Sequence, residues 1–197
     1  VSPFWERMPL TLLAGIVVIT FIVYLPSLRN GLLAWDDEPY IIKNQLVQSG
    51  NFGELFTQQV MGNYHPLTML ILSIEFRWFG SDPTGYHWVN LLLHLINTIL
   101  VFLVIRRLNP GSGVALLTAL IFAIHPMHVE SVAWVAELKD LLYTLFFFLS
   151  CIFYLKYLEA NARKYLFITL LFFALSLLSK AMAASLPLVL LLIDYFK

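Results

Sequence analysis

Long apolar runs separated by short charged joints occupy most of the chain, and one stretch near the start breaks that rhythm. Between Arg7 and Arg29 lie 21 uncharged residues, where about 20 suffice for one membrane span. Residues 83–105 supply 23 more and residues 108–129 another 22. Pro9 fits the first turn of the first helix and Pro26 its exit. Three later runs are shorter, with 15 residues at 141–155, 15 at 165–179 and 13 at 181–193. At a rise of about 1.5 Å per residue, each falls short of a hydrocarbon core of roughly 30 Å. Those helices either run on past flanking charges that snorkel or end inside the membrane around a polar cavity. Both arrangements bring Lys139, Asp140 and Lys180 close to the bilayer.

The pattern predicts an all-α polytopic membrane protein with about six spans. They fall near residues 9–27, 86–105, 113–126, 139–158, 164–179 and 182–196 of a single membrane domain, 1–197. The long loop at 28–85 cannot sit wholly in lipid. Within it, residues 67–79 are apolar but too short to span, and Glu75 and Arg77 interrupt them. They read as an interfacial amphipathic helix. Residues 41–56 offer a second helix ended by Gly50 and Gly53. The turn Asn109-Pro110-Gly111-Ser112-Gly113 is breaker chemistry. No repeat, low-complexity tract or β-rich stretch is evident.

Composition agrees with a membrane location. Hydrophobic residues make up 60% of the 197 and charged residues 12%, against about 25% charged in soluble domains. Mean hydropathy is +0.81. Twelve basic and twelve acidic residues leave no net charge and no basic patch, which argues against a nucleic-acid partner. Cys151, the only cysteine, lies in an apolar run and reads as a core thiol. No cleavage pattern follows the first apolar run, so it is expected to be a retained anchor.

If Arg7 is cytoplasmic, seven basic residues fall inside and five outside, with the inner ones clustered at helix ends. Nine of the twelve acidic residues then face outward. The long loop is therefore expected to be extracytoplasmic.

Three groups of residues carry candidate chemistry. Asp36, Asp37 and Glu38 follow the first span directly. One carboxylate is enough to cap a juxtamembrane helix at Pro39. Three side by side should hold one proton at raised pKa, which suits a general base. His125, His128 and Glu130 surround Pro126 at the end of the third span. Their spacing does not match a closed zinc site, and a polar helix-to-loop junction is the favoured reading. No metal or cofactor is called, with a divalent cation left open. Lys139 beside Asp140 reads as a local ion pair or a phosphate contact, and Lys180 as a snorkelling anchor or a point charge for phosphate. His94 and Asn97 share a helix face and are expected to make interhelical hydrogen bonds. Tyr86, His87 and Trp88 read as an interface belt.

The order and spacing of several motifs resemble one family. They are Trp35-Asp36-Asp37-Glu38-Pro39-Tyr40-Ile41, Asn63-Tyr64-His65-Pro66-Leu67-Thr68, Gly85-Tyr86-His87, His125-Pro126-Met127-His128-Val129-Glu130, Lys139-Asp140 and Ser179-Lys180 with Leu186-Pro187. The family is that of bacterial tetratricopeptide-repeat membrane proteins similar to protein O-mannosyltransferases, within the polyprenyl-phosphate-sugar-dependent glycosyltransferases. The resemblance implies transfer of a sugar from a polyprenyl-phosphate donor to an extracytoplasmic hydroxyl on a protein, at Ser or Thr, or on a glycan. The family's Asp-Glu pair falls best on Asp37-Glu38, making Asp37 the implied base with Asp36 tuning it. Lys180 and Lys139 would hold the lipid phosphate, while Glu38, His65, His125, His128, Glu130 and Asp140 would shape the substrate pocket. Leu138 stands where such sequences usually carry arginine. The resemblance also implies that the chain is the N-terminal membrane part of a larger enzyme.

A second reading is a non-catalytic membrane subunit that packs against other helices or binds lipid. Lys180 separates the two. The runs flanking it are too long together for one span, and Pro187 is badly placed for an unbroken helix. The sequence therefore predicts a helix break near Lys180, with the ammonium turned into a cavity toward Asp36, Asp37 or Glu130.

Overall fold

The computed structural model describes residues 4–197, with side chains from Leu10 onward. The side chains of Arg7 and Pro9, used above for topology and for the first turn, lie outside the described residues. The described chain is helical throughout, apart from loops and one isolated backbone bridge, Val60 to Asn63. Ten α-helices follow in order: α1 Phe4–Tyr24, α2 Gln45–Ser49, α3 Phe52–Leu55, α4 Pro66–Phe79, α5 Pro83–Leu108, α6 Ser112–Ile124, α7 His128–Ala133, α8 Leu138–Ala160, α9 Arg163–Ser179 and α10 Leu186–Phe196. Short 3-10 turns extend α1, precede α8 and link α9 to α10.

Every apolar run forms a helix, but their lengths redistribute the spans. Among the described residues, three helices are long and apolar enough to cross a membrane: Leu10–Arg29, Pro83–Leu108 and Val135–Ala160. The third apolar run, with 22 uncharged residues, gives only the 13-residue α6. His125 leaves helical geometry (ψ 132) just before Pro126, because a residue preceding proline is pushed out of the α region. The run at 141–155 does the opposite. It continues through Lys156 to Ala160, where Asn161 closes α8 in the left-handed region at φ 46.

α8 packs chiefly on α9 and α5, α5 on α6, and α1 on α6 and α5. Polar side chains fasten these contacts. Asn97 of α5 donates to the Leu141 carbonyl of α8 at 3.0 Å, and its neighbour His94 bonds the Ala123 carbonyl of α6 at 2.8 Å. The two residues thus hold different helices. Ser150 and Ser176 tie α8 and α9 through the carbonyls of Thr169 and Tyr143, at 2.9 and 2.8 Å. Such bonds are worth about 0.6 kcal/mol each between membrane helices, so they fix orientation more than they add stability. Outward faces keep Val18, Ile22, Leu117, Ile121, Phe167, Leu170, Leu188 and Leu191 exposed, as helices facing lipid require.

The segment at 28–85 is folded onto this frame through a core that it shares with the start of α5 and the start of α8. Tyr40, Ile41, Val47, Leu55, Met69 and Leu72 are buried with Tyr86, Val135 and Leu138. Each fully buried aliphatic here contributes roughly 1.5–3 kcal/mol. Gly50 closes α2 at φ 62, and a Cβ there would run into the Arg77 guanidinium. Gly53 lies inside α3 rather than ending a helix.

Helix α4 exists as predicted, but Glu75 turns inward and is 4% exposed. Tyr86 and His87 are also buried rather than forming a belt, and only Trp88 of the three stays exposed. Cys151 is buried and free.

Candidate active site

The site begins where α9 stops. Lys180 is extended (φ −158, ψ 135) and a 3-10 turn, Ala181–Ser185, separates it from α10. Pro187 sits in the first turn of α10, where its missing N–H has no intrahelical partner to lose. The break predicted at Lys180 is therefore present. Thr68 of α4 donates to the Ser179 carbonyl at 2.9 Å, satisfying one of the carbonyls that a helix end leaves open. That bond draws the end of α9 against the start of α4, where His65 lies.

The Lys180 ammonium pairs with Asp140 and lies 3.9 Å from Glu137. Lys139 lies 2.9 Å from Glu137 and 5.0 Å over the Tyr40 ring. The partners expected for Lys180 were Asp36, Asp37 or Glu130, and the structure replaces them with the first turn of α8. Lys139 and Asp140 do not pair with each other either. Successive residues on a helix point in different directions, so each meets a charge from elsewhere. Glu137, which touches both lysines, was not singled out from the sequence. Its one signal there is the run of charges Glu137, Lys139 and Asp140 at the mouth of an apolar helix.

Lys139 and Lys180 line one cavity of about 200 Å³ with Asn63, Tyr64 and His65. His65 is 4% exposed, its Nε2 has no hydrogen-bond partner, and its ring centroid is 5.4 Å from that of Tyr40. Burial, followed by the two nearby ammonium groups, pushes its pKa down to about 4. His65 is thus neutral at physiological pH. It offers the cavity a hydrogen-bonding nitrogen without adding charge.

The three carboxylates of the first loop separate. Asp37 is 1% exposed, accepting the Leu33 amide at 2.7 Å and the Ala136 amide at 2.8 Å. Burial raises its pKa, and the two amides, His87 and Trp134 pull it back. The perturbation therefore comes from burial rather than from neighbouring carboxylates. Asp36 is half-buried and acts electrostatically on Lys139. Glu38 pairs with the exposed Lys43. Beside Asp37, Leu33, Ala34, Trp35, Glu130 and Trp134 line an open apolar pocket of about 570 Å³.

His125 is exposed, and its Nδ1 accepts the Met127 amide at 3.2 Å. His128 packs its ring 4.5 Å from Phe122 and 5.9 Å from His94. Neither lines the lysine cavity. A bond from Ser131 Oγ to Asp140 at 3.3 Å links α7, which starts at His128, to the charged cluster. Among the described residues, no group of three or more His, Cys, Asp or Glu could hold a metal ion.

Missed from the sequence as a special residue was Glu75. Neither carboxylate oxygen has a partner, and burial pushes its pKa up to about 8.

The family model described as dolichyl-phosphate-mannose-protein mannosyltransferase matches residues 64–196, so Asp36 and Asp37 precede the matched part. The fruit-fly (Drosophila melanogaster) protein O-mannosyl-transferase Tmtc1 is 31% identical over 182 residues, covering 87% of this chain and 21% of the relative. Human (Homo sapiens) protein O-mannosyl-transferase TMTC4 is 35% identical over 185 residues, covering 81% of this chain and 24% of the relative. The chain thus spans about a quarter of the length of these relatives. No solved structure matches it. With two lysines converging on a cavity at the break between α9 and α10, and with that match over 64–196, the chain belongs to the dolichyl-phosphate-mannose-protein mannosyltransferase family.

Proposed function

We propose that this chain forms the donor-phosphate and base-bearing part of a membrane glycosyltransferase. It would transfer a sugar from a polyprenyl-phosphate donor to an extracytoplasmic hydroxyl, at a protein Ser or Thr. In this reading all six long apolar runs are embedded in the membrane, and residues 28–85 cover its outer face. The observation that carries it is the convergence of Lys139 and Lys180 on one cavity beside neutral His65. A phosphate entering there exchanges the contacts of Lys139 and Lys180 with Glu137 and Asp140 for contacts with its own oxygens. The ammonium groups then neutralise the charge that develops on the leaving phosphate.

Asp37 is the proposed base. It takes the proton of the acceptor hydroxyl as that oxygen attacks the anomeric carbon. The bond from that carbon to the lipid-phosphate oxygen breaks, the lipid phosphate leaves as an anion, and the anomeric configuration inverts. Two backbone amides hold the carboxylate in one orientation, as a preorganised catalytic group needs. Reaching it requires displacement of the loop at 33–35, which also lines the apolar pocket. Asp36, half-buried and facing the field of Lys139, tunes the site. Sugar-transfer rates of Asp37→Asn and Asp36→Asn in the full-length protein test the assignment, with melting temperatures alongside. Loss of transfer in Asp37→Asn that still melts cooperatively supports it. Near-normal turnover in that variant rejects it.

The near-complete burial of Asp37 and the neutralised lysines also favour a second reading, a non-catalytic membrane subunit. Absence of sugar transfer from a well-folded full-length protein would select it.

A further inference from the structure

We infer that an open polar groove on the first loop docks an extended polypeptide, the acceptor of the transfer proposed above, by pairing with the free backbone of Gln58 and Gln59. This deepens the glycosyltransferase reading and rests on it.

The groove encloses about 650 Å³ and includes Asn44, Gln45, Ser49, Asn51, Gln58 and Gln59 in its walls. Along its floor the chain leaves α3 and reaches the turn at 60–63. Thr57 and Gln58 donate their amides to the Glu54 carbonyl, and Val60 exchanges both backbone bonds with Asn63. Between them, the Gln59 amide and the carbonyls of Gln58 and Gln59 have no partner among the described residues. Residues 58 and 59 are coil beside the isolated Val60–Asn63 bridge, and they present these unpaired groups to an incoming backbone, the kind of pairing that strand addition uses. The side chains of Gln45, Gln58 and Gln59 likewise make no hydrogen bond within the described chain. Each carboxamide both donates and accepts, as a peptide bond does.

The chemistry of the walls narrows the occupant. Lys43 is committed to Glu38, so the groove has no free cation for a phosphate. No aromatic ring lines it, which leaves a sugar without a stacking platform. A neutral main chain fits both conditions.

The groove is also neighbour to the lysine cavity along the chain. Val60 and Met61 line the groove, while Asn63, Tyr64 and His65 line the cavity. The tight turn at 60–63 joins the two linings. Its central residues, Met61 (φ 50) and Gly62 (φ 76), both lie in the left-handed region, as a type I′ turn requires. On the opposite side Pro39 lines the groove, and Tyr40 packs on His65 and Lys139. A peptide leaving the groove over this turn brings its next hydroxyl side chain to the donor.

The test uses the full-length protein in lipid nanodiscs and a fluorescent, unstructured Ala/Thr peptide. The controls are the same peptide with alternate backbone nitrogens methylated and a mannan oligosaccharide. Loss of backbone pairing should weaken peptide binding roughly tenfold, both on N-methylation and in Gln59→Pro. Gln59→Ala, which keeps the amide, should bind within about twofold of the parent. Should Gln59→Pro fail to melt like the parent, Gln45→Trp, which fills the groove from its other wall, should give the same loss. Equal binding of the methylated peptide, unchanged binding in a well-folded Gln59→Pro or Gln45→Trp, or binding of the oligosaccharide alone would overturn the inference. Specific peptide binding without sugar transfer upholds the groove and removes the glycosyltransferase reading. Transfer to the peptide with unchanged KM in Gln59→Pro or Gln45→Trp removes the groove alone.

Discussion

Asp37 and Ala136 lie 99 residues apart and are joined by a 2.8 Å hydrogen bond from the Ala136 amide to the Asp37 carboxylate. The bond fastens the first loop to the turn that opens α8, next to Glu137 and Lys139. The loop and the lysine cavity are therefore one mechanical unit.

Replacing Asp37 by asparagine keeps one acceptor but turns an amide N–H₂ toward a backbone donor. The expected loss is roughly 1–3 kcal/mol of stability, with Asp37→Ala losing more and Asp36→Asn nearly none. Thermal melts of the three variants in one detergent check the order. A silent Asp37→Ala would show that the bond carries no structural role.

Glu75 makes stability depend on pH in an unusual direction. Its folded pKa of about 8 stands above the ordinary value of 4.5, so the folded state binds a proton that the unfolded state has released. Stability from this group is complete below about pH 4.5, falls through the interval and is lost above about pH 8. Keeping this carboxylate charged in its buried site costs on the order of a few kcal/mol. Glu75→Gln should flatten the melting temperature between pH 5 and pH 8 and raise it at the upper end. His65 acts in the opposite sense. Its folded pKa of about 4 lies below 6.5, so it destabilises the fold progressively as pH falls below about 6.5. His65→Gln should remove that acid loss while leaving the Glu75 slope unchanged.

Thr68 holds the broken end of α9 through the Ser179 carbonyl. Thr68→Val preserves shape and removes the donor, leaving a buried carbonyl open at a loss of about 1–3 kcal/mol. Because Lys180 is the next residue, donor affinity should fall along with the melting temperature. Thr68→Ser, which keeps the hydroxyl, should retain the affinity.

Much of this was legible in the sequence where a local rule acts alone. The break at Lys180 follows from two short apolar runs and Pro187, and the end of α6 from Pro126. His94 and Asn97 were readable as interhelical donors because a polar group in an apolar span has few other uses. What the sequence hid depends on distant partners. Lys180 meets Asp140 across 40 residues, and Asp37 meets Ala136 across 99, and no spacing rule reaches that far. Glu75 misled for a related reason. A charge on a short helix reads as solvated, and only the packing of α4 against α2, α5, α8 and α9 shows it buried. The first-loop carboxylates were read as a cluster because they are adjacent, yet adjacent side chains of a tight turn point apart.

Asp140 and Lys180 should also show energetic coupling. Asp140→Asn leaves a partly buried ammonium with Glu137 at 3.9 Å and the Tyr143 ring at 6.0 Å, and Lys180→Gln leaves Asp140 with the Ser131 hydroxyl and the nearby His128 ring. A double-mutant cycle on melting should give a coupling on the order of 1 kcal/mol. Additive effects would show that the pair is dispensable to the empty site.

The most direct test is sugar transfer by the full-length protein in nanodiscs, supplied with a mannosyl-phosphate polyprenol and a Ser/Thr peptide, for the parent and for Lys139→Gln with Lys180→Gln. The expected result is mannosylated peptide and released polyprenyl phosphate in equal amounts from the parent. The double variant should lose at least roughly a hundredfold in kcat/KM, as removal of two charge-stabilising donors implies. Transfer at the parental rate by a well-folded double variant, or none from the parent, would contradict a phosphate site at the two lysines.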